Sequence, residues 1–139
     1  MKILAVDPGE KRLGLAVSDP TGTLARPLGV LKHVSRLADA ARVAEVAREN
    51  GVELIVVGQS FDENGQPNLA GRRAANLAEA LRTQTSLPVI LWDEAFTTQD
   101  ARTTRLESGA SRKKRAGHLD DLAAAILLQS YLDSVHNSQ

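Results

Sequence analysis

The sequence predicts an α/β domain built on one five-stranded mixed sheet, three antiparallel strands followed by parallel ones, with helices on both faces. Three observations carry this. The first 32 residues hold three strand-like runs joined by turns too short for a crossover. Two later runs, 52–58 (VELIVVG) and 88–92 (PVILW), are almost continuously apolar, as in strands covered on both faces. Helical periodicity fills the stretches between and after them. The order is β-β-β-α-β-α-β-α-α, which closes as one mixed sheet.

Each element has its own warrant. Residues 2–7 (KILAVD) are rich in strand formers and stop at a Pro8-Gly9-Glu10-Lys11 turn. Residues 13–18 (LGLAVS) form the second strand, Asp19-Pro20-Thr21-Gly22 the next turn, and 23–32 a third strand broken by Pro27. Ser35 caps a helix over 35–50, with Leu37, Ala40, Ala41, Ala44 and Ala47 as its stripe and Gly51 as its stop. After the strand at 52–58 and a polar loop at 61–68, a second helix spans 69–85 with Ala70, Ala74, Leu77 and Leu81 on one side. A third helical stretch starts near Thr97, and 109–117 reads as a polar, basic loop. The final helix, 119–133, carries Leu119, Leu122, Ala123, Ile126 and Ser130 in one wide apolar face.

Composition narrows the function. At 139 residues the chain has the size of one domain, which excludes two-lobed architectures. With no cysteine, disulfides, thiolate catalysis and Cys-based zinc sites are excluded. Aromatics are 3% of the chain, so the core is built of Leu, Val, Ile and Ala, and a platform of aromatics for stacking bases is not expected. The N-terminus enters strand-like sequence directly and no apolar run approaches a membrane span, so a cytoplasmic location is expected. The formal charge is zero, but residues 102–115 carry net +5 and leave −5 on the rest. A basic strip on an acidic background suggests a surface that faces a polyanion.

Acids stand where strands stop or helices start: Asp7 ends the first strand, Asp93 and Glu94 follow the last, and Asp120, with Asp121 beside it, opens the final helix. Ligands of open sheets collect at the carboxyl ends of the strands. Carboxylates that converge there repel, and a divalent cation with a preference for hard oxygen ligands resolves the conflict. Two such ions, Mg²⁺ or Mn²⁺, can clamp a phosphodiester, one activating water and the other stabilising the leaving oxygen. Each acid also has an ordinary reading. Asp7-Pro8-Gly9 can be a plain turn, Asp120 and Asp121 first-turn helix acids, and Asp93-Glu94 a solvated pair.

The stretch Ala5-Val6-Asp7-Pro8-Gly9-Glu10-Lys11-Arg12-Leu13-Gly14-Leu15-Ala16-Val17-Ser18-Asp19 resembles the opening motif of the YqgF/RuvX family. Three more blocks resemble that family in order and spacing: Ile55-Val56-Val57-Gly58 with Gly65, the run from Trp92 to Ala101, and the run from Leu119 to Leu128. The resemblance spans residues 2–133. It implies an RNase H-like fold, a metal-dependent endonuclease using Mg²⁺ or Mn²⁺, and catalytic acids at Asp7, Glu94 and Asp120, with Asp121 and Asp93 in second rank. Its implied substrates are a structured pre-16S rRNA precursor, in ribosome biogenesis, or a four-way DNA junction, in recombination. The chain departs from the family pattern at Ala95, where Arg is usual, and at Gln59-Ser60, where Leu-Pro is usual.

Among the basic residues, Lys11 and Arg12 follow Asp7 and are candidate clamps on flanking phosphates. Arg112, Lys113, Lys114 and Arg115 lead into the last helix and either close over backbone phosphate or form a solvated loop. His118, beside Asp120, is a candidate for proton transfer or phosphate orientation. Arg72 and Arg73 read as solvated. Two competing classes are a nucleotide-binding phosphotransferase, which needs a second lobe, and a non-catalytic assembly factor, which has no reason to gather anions beside a polyphosphate. A junction resolvase would act as a homodimer with two sites, whereas trimming of rRNA is compatible with a monomer.

Overall fold

β1 (Ile3–Pro8) lies at the centre of the sheet because nearly all of its side chains are apolar and both of its faces are covered. In the computed structural model, which describes residues 1–96 and 119–137, the other elements are β2 (Arg12–Ser18), β3 (Ala25–Lys32), α1 (Arg36–Glu49), β4 (Leu54–Gln59), α2 (Leu69–Gln84), β5 (Val89–Asp93), a 3-10 turn (Glu94–Phe96) and α3 (Leu119–Asn137). The sheet order is β3-β2-β1-β4-β5. β1, β2 and β3 pair antiparallel, whereas β4 and β5 run parallel to β1. The expected five-stranded mixed sheet is therefore what forms. The third helical stretch expected near Thr97 and the basic segment through Arg115 lie outside the described residues.

Strand alternation sorts the core into two layers. Leu4, Val6, Leu15, Val17, Ile55 and Val57 face α1 and α2. Ile3, Ala5, Ala16, Leu54 and Val56 face α3, meeting Ala124, Leu127, Leu128 and Leu132. Asp7 continues the Ile3–Ala5 series and so emerges on the α3 face. At β5, Trp92 meets Tyr131 of α3 edge-to-face with ring centres 5.2 Å apart, and its indole N–H donates to Ser130 Oγ at 2.9 Å. Such an aromatic pair adds about 0.5–1.5 kcal/mol beyond the area it buries.

Two helix faces differ from the periodicity. On α1, Leu37 is 60% exposed, and the buried residues are Asp39, Ala40, Val43 and Ala47. Asp39 is drawn inward because its carboxylate accepts the Val34 N–H and pairs with His33. On α3 the buried stripe is Asp121, Ala124, Ala125, Leu128 and Leu132, with Leu127 beside it, two positions further along than the expected stripe of Leu119, Leu122, Ala123, Ile126 and Ser130. The small residues of the strands below favour alanines over leucines at the contact, and this turns Asp121 inward.

The turn between β2 and β3 is organised by Asp19. Its Oδ1 accepts the N–H groups of Thr23 (2.8 Å) and Leu24 (2.9 Å), its other oxygen accepts the Thr21 hydroxyl, and Gly22 supplies the positive φ of +70°. These bonds, the Leu24 amide foremost, hold the Asp19 carboxyl well below the usual carboxylate range. A carboxyl depressed by folding stabilises the native state fully above its unfolded value of 3.8 and loses that contribution as pH falls through the folded value. Asp19→Asn is expected to lower Tm at neutral pH, and the gap from wild type should close as melts are run from pH 5 towards pH 2. A gap that stays constant would contradict this account.

Candidate active site

Asp7 is half-buried and sits between two glycines on neighbouring strands. Across the β1–β2 ladder its partner is Gly14. On the other side Val6 pairs with Val57, so Gly58 is the next residue beside Asp7. Neighbouring strands lie about 4.8 Å apart, so the three positions share one small patch of the α3 face.

What lies over the two glycines defines the site. A Cβ on Gly14 would stand 1.8 Å from the backbone oxygen of Asp120 and 3.0 Å from the Asp121 nitrogen. The first turn of α3 therefore rests directly on β2, with no side chain between. A Cβ on Gly58 would stand 3.1 Å from Glu94 Oε1 and 2.7 Å from a Leu127 methyl group. The Glu94 carboxylate thus lies over β4 on one side of Asp7, and the start of α3 lies over β2 on the other. Three acids far apart in sequence thus stand over neighbouring strands, at the carboxyl ends of β1 and β4 and the amino end of β2.

Asp120 is oriented by Arg12, whose Nε–H donates to its Oδ2 at 2.7 Å. Arg12 is itself fixed by the tight β1–β2 turn, where the Gly9 N–H donates to the Arg12 carbonyl at 2.8 Å. Asp121 is 8% exposed, and its Oδ1 is buried with no hydrogen-bond partner among the described residues. A buried carboxylate oxygen left unsatisfied costs stability unless a cation or donor meets it. Asp93 has a local task, its Oδ1 accepting the Ala95 N–H at 2.8 Å to start the 3-10 turn that carries Glu94. Ala95 itself is exposed. The unusual Gln59-Ser60 pair ties β4 to α2: Gln59 Nε2 donates to the Gly71 carbonyl at 3.2 Å, and Ser60 Oγ donates to Asn68 Oδ1 at 2.7 Å.

The set is all carboxylate oxygen, the chemistry that Mg²⁺ and Mn²⁺ select, and it includes an orphaned buried oxygen. Among the described residues, however, no three acidic or imidazole side chains already meet as a closed metal cage. Lys11 and Arg12 stand in the turn beside Asp7, as their place in the sequence requires. Arg112, Lys113, Lys114, Arg115 and His118 lie outside the described residues. Periodicity alone missed two features: the burial of Asp121, foreshadowed by the Ala124-Ala125, Leu128 and Leu132 spacing, and a His33–Asp39 pair on the opposite face, for which the sequence holds no signal.

Structural likeness gives the class. RuvC of T. thermophilus, solved with a Holliday junction substrate, matches with a TM-score of 0.63 at 19% identity over 99% of this chain and 97% of that one. The fowlpox virus resolvase, solved with Holliday junction DNA, matches with a TM-score of 0.58 at 16% identity over 97% and 99%. The fold is RNase H-like. The chain belongs to the RuvX family, whose model, described as a Holliday junction resolvase, matches residues 1–134. A relative from Thermoanaerobacter pseudethanolicus is 38% identical over 138 residues, covering 99% of each chain, and one from Anaeromyxobacter sp. is 39% identical over 136 residues, covering 98% and 99%. Both relatives are provisionally named pre-16S rRNA nuclease. The family is thus one of nucleases, and among the described residues no helix is long and apolar enough to cross a membrane.

The two glycines give different tests. Gly14→Ala drives a methyl group into backbone, which cannot yield locally, so it is expected to lower Tm by many degrees. Gly58→Ala meets the end of the flexible Leu127 side chain and the Glu94 carboxylate, so it should fold with a small change in Tm yet lose nuclease activity. Equal Tm losses for the two variants would show that α3 does not sit on Gly14 as described.

Proposed function

We propose that this chain is a metal-dependent endonuclease that hydrolyses phosphodiester bonds of structured nucleic acid, and that its reaction is maturation of the 5′ end of pre-16S rRNA. The observation that carries the chemistry is the placement of Glu94 and the Asp120–Asp121 turn over the glycines on either side of Asp7. The rRNA assignment rests on the provisional names of the full-length relatives. A second reading, resolution of four-way DNA junctions, is favoured by the description of the family model and by the junction-bound structures that share the fold.

In this reading Asp7, Glu94 and Asp120 hold the divalent cations, with Asp121 and Asp93 in reserve. Held there, such ions would supply polarisation of the scissile phosphate, a lowered pKa for the attacking water and stabilisation of the leaving oxygen. Mg²⁺ is commonly held by one or two carboxylates plus water and substrate phosphate, which suits acids that are gathered without forming a closed cage. Water oxygen bonds to phosphorus, the P–O3′ bond breaks, and the products are a 5′-phosphate and a 3′-hydroxyl. Lys11 and Arg12 steady the flanking phosphates, and the segment Arg112 to Arg115 adds electrostatic grip.

The deciding experiment offers a precursor rRNA 5′ segment and a mobile four-way junction to wild type and Asp7→Asn, each with Mg²⁺ and with Mn²⁺. Cleavage of the rRNA segment by wild type, and loss of cleavage in Asp7→Asn with folding and binding retained, is the expected result. Cleavage of the junction alone assigns the second reading, and binding without cleavage of either substrate assigns a non-catalytic assembly role. Asp121 gives an independent check without turnover. Asp121→Asn removes a buried charge, so it should raise Tm in EDTA and shrink the gain in Tm that Mn²⁺ gives wild type. An unchanged Mn²⁺ response would remove Asp121 from the metal site.

A further inference from the structure

On the opposite face of the sheet, at the same carboxyl edge, a cavity of about 440 Å³ opens between the end of β1, the start of α1 and the middle of α2. Pockets that hold small ligands or single nucleotides fall in this size range. Pro8 and Gly9, the two residues after Asp7, form part of its wall. Successive strand residues face opposite sides, so the cavity and the carboxylates are separated by the thickness of the sheet, on the order of 10 Å. Phosphates of one strand lie about 3.4 Å apart along the axis of a duplex and further apart when the strand is unpaired, so that span is at most a few nucleotides.

Its lining is of two kinds. Leu13, Leu37 and Leu77 supply an apolar surface, and Leu37 is left 60% exposed at the rim. Arg36 and Arg73 supply positive charge, and neither is ion-paired among the described residues. Arg73, which reads as solvated in the sequence, is half-buried here. Between these stand two groups able to read a base edge. Asn76 offers an amide with both donor and acceptor. His33 is held by Asp39, which is 4% exposed and also takes the Val34 N–H, so the ring is fixed through Nδ1. Nε2 of His33 has no partner among the described residues.

We propose that this cavity binds one unpaired nucleobase of the substrate strand, a few nucleotides from the scissile phosphate. The base lies against the leucine wall, its edge meets His33 and Asn76, and the adjoining phosphates meet Arg36 and Arg73. The turn that carries Lys11 and Arg12 lies between cavity and carboxylates, so one strand can pass from one to the other over a positively charged ridge. This pocket extends the nuclease reading and rests on it. It also gives a chain poor in aromatics a way to hold a base on aliphatic walls.

The test is fluorescence anisotropy of the full chain with labelled single strands about 12 nucleotides long. Matched RNA and DNA versions are used, without divalent metal so that nothing is cut, and each is scanned with one abasic position. Wild type is expected to bind the intact strand and to lose about tenfold at one abasic position, the version affected identifying the sugar preferred. Leu37→Asp, at an exposed site, should bind intact and abasic strands alike. Arg73→Ala should weaken all strands and lower the salt slope by about 1. If no abasic position matters while Arg12→Ala still weakens binding, the pocket is overturned and the nuclease reading stands. If no strand binds at all, the pocket is overturned, whereas the nuclease reading, whose substrates are structured, stands or falls with the cleavage assay. If Leu37→Asp instead turns a dimer into a monomer on sedimentation and leaves binding unchanged, the face joins two copies of this chain and the pocket is again overturned.

Discussion

The first turn of α3 touches the backbone of β2 at Gly14, and most of the site follows from that contact. A helix normally keeps its distance from a sheet through the side chains between them. Here the separation is set by Gly14, Ala5 and Ala16 below and by Ala124 and Ala125 above. Two acids at the helix start are thereby brought down to the level of Asp7. The far end of α3 is fastened independently, by Gln129, which accepts the Ala25 N–H and donates to the Thr23 carbonyl, and by His136, which meets the Gly22 carbonyl. The helix cannot slide without breaking bonds to the β2–β3 turn and to the start of β3.

The opposite flank of the site is built by different means. Glu94 stands at the end of β5, one strand removed from β1, and reaches back over β4 because position 58 has no side chain to block it. Trp92, packed on Tyr131 and bonded to Ser130, fixes the strand two residues earlier, and Asp93 caps the turn between. Two carboxylates in sequence thus divide the work: one organises backbone and the other is presented. The same division separates Asp120, held by Arg12 at the edge, from Asp121, turned beneath the helix with an oxygen unsatisfied. Natural sequences tend to tolerate such local violations where function requires them.

How far the sequence discloses this depends on which force sets each feature. The strands were legible because continuous runs such as Leu54–Gln59 have few alternatives, and their order followed from turn length. Ser35 and Gly51 marked the ends of α1 through local chemistry. Helix rotation was not legible. On α3, Leu122 and Ile126 are as apolar as Leu128 and Leu132, and only the close approach at Gly14 selects between the stripes. On α1, the burial of Asp39 depends on a histidine from the preceding loop, a pairing that periodicity cannot express. The motif resemblance placed Asp7, Glu94 and Asp120 in one class. That Gly14 and Gly58 lie between them became visible only with the register of the sheet.

The charge distribution bears on how a chain of zero net charge can approach a polyanion. Among the described residues, acids collect on the α3 face of the carboxyl edge, while Lys11 and Arg12 crown the β1–β2 turn and Arg36 and Arg73 line the far side. Arg12 is the one of these four held in a salt bridge, and that pair is weakly committed. Its side chains are 56% and 37% exposed, and ion pairs of such exposure contribute about 0–1 kcal/mol. In the proposed reading, a phosphate that captured Arg12 would therefore cost the fold little and would free Asp120 of its salt bridge. The half-exposed pair holds both groups in place, and on the proposed reading it would hold neither so tightly that a strand crossing the turn could not separate them.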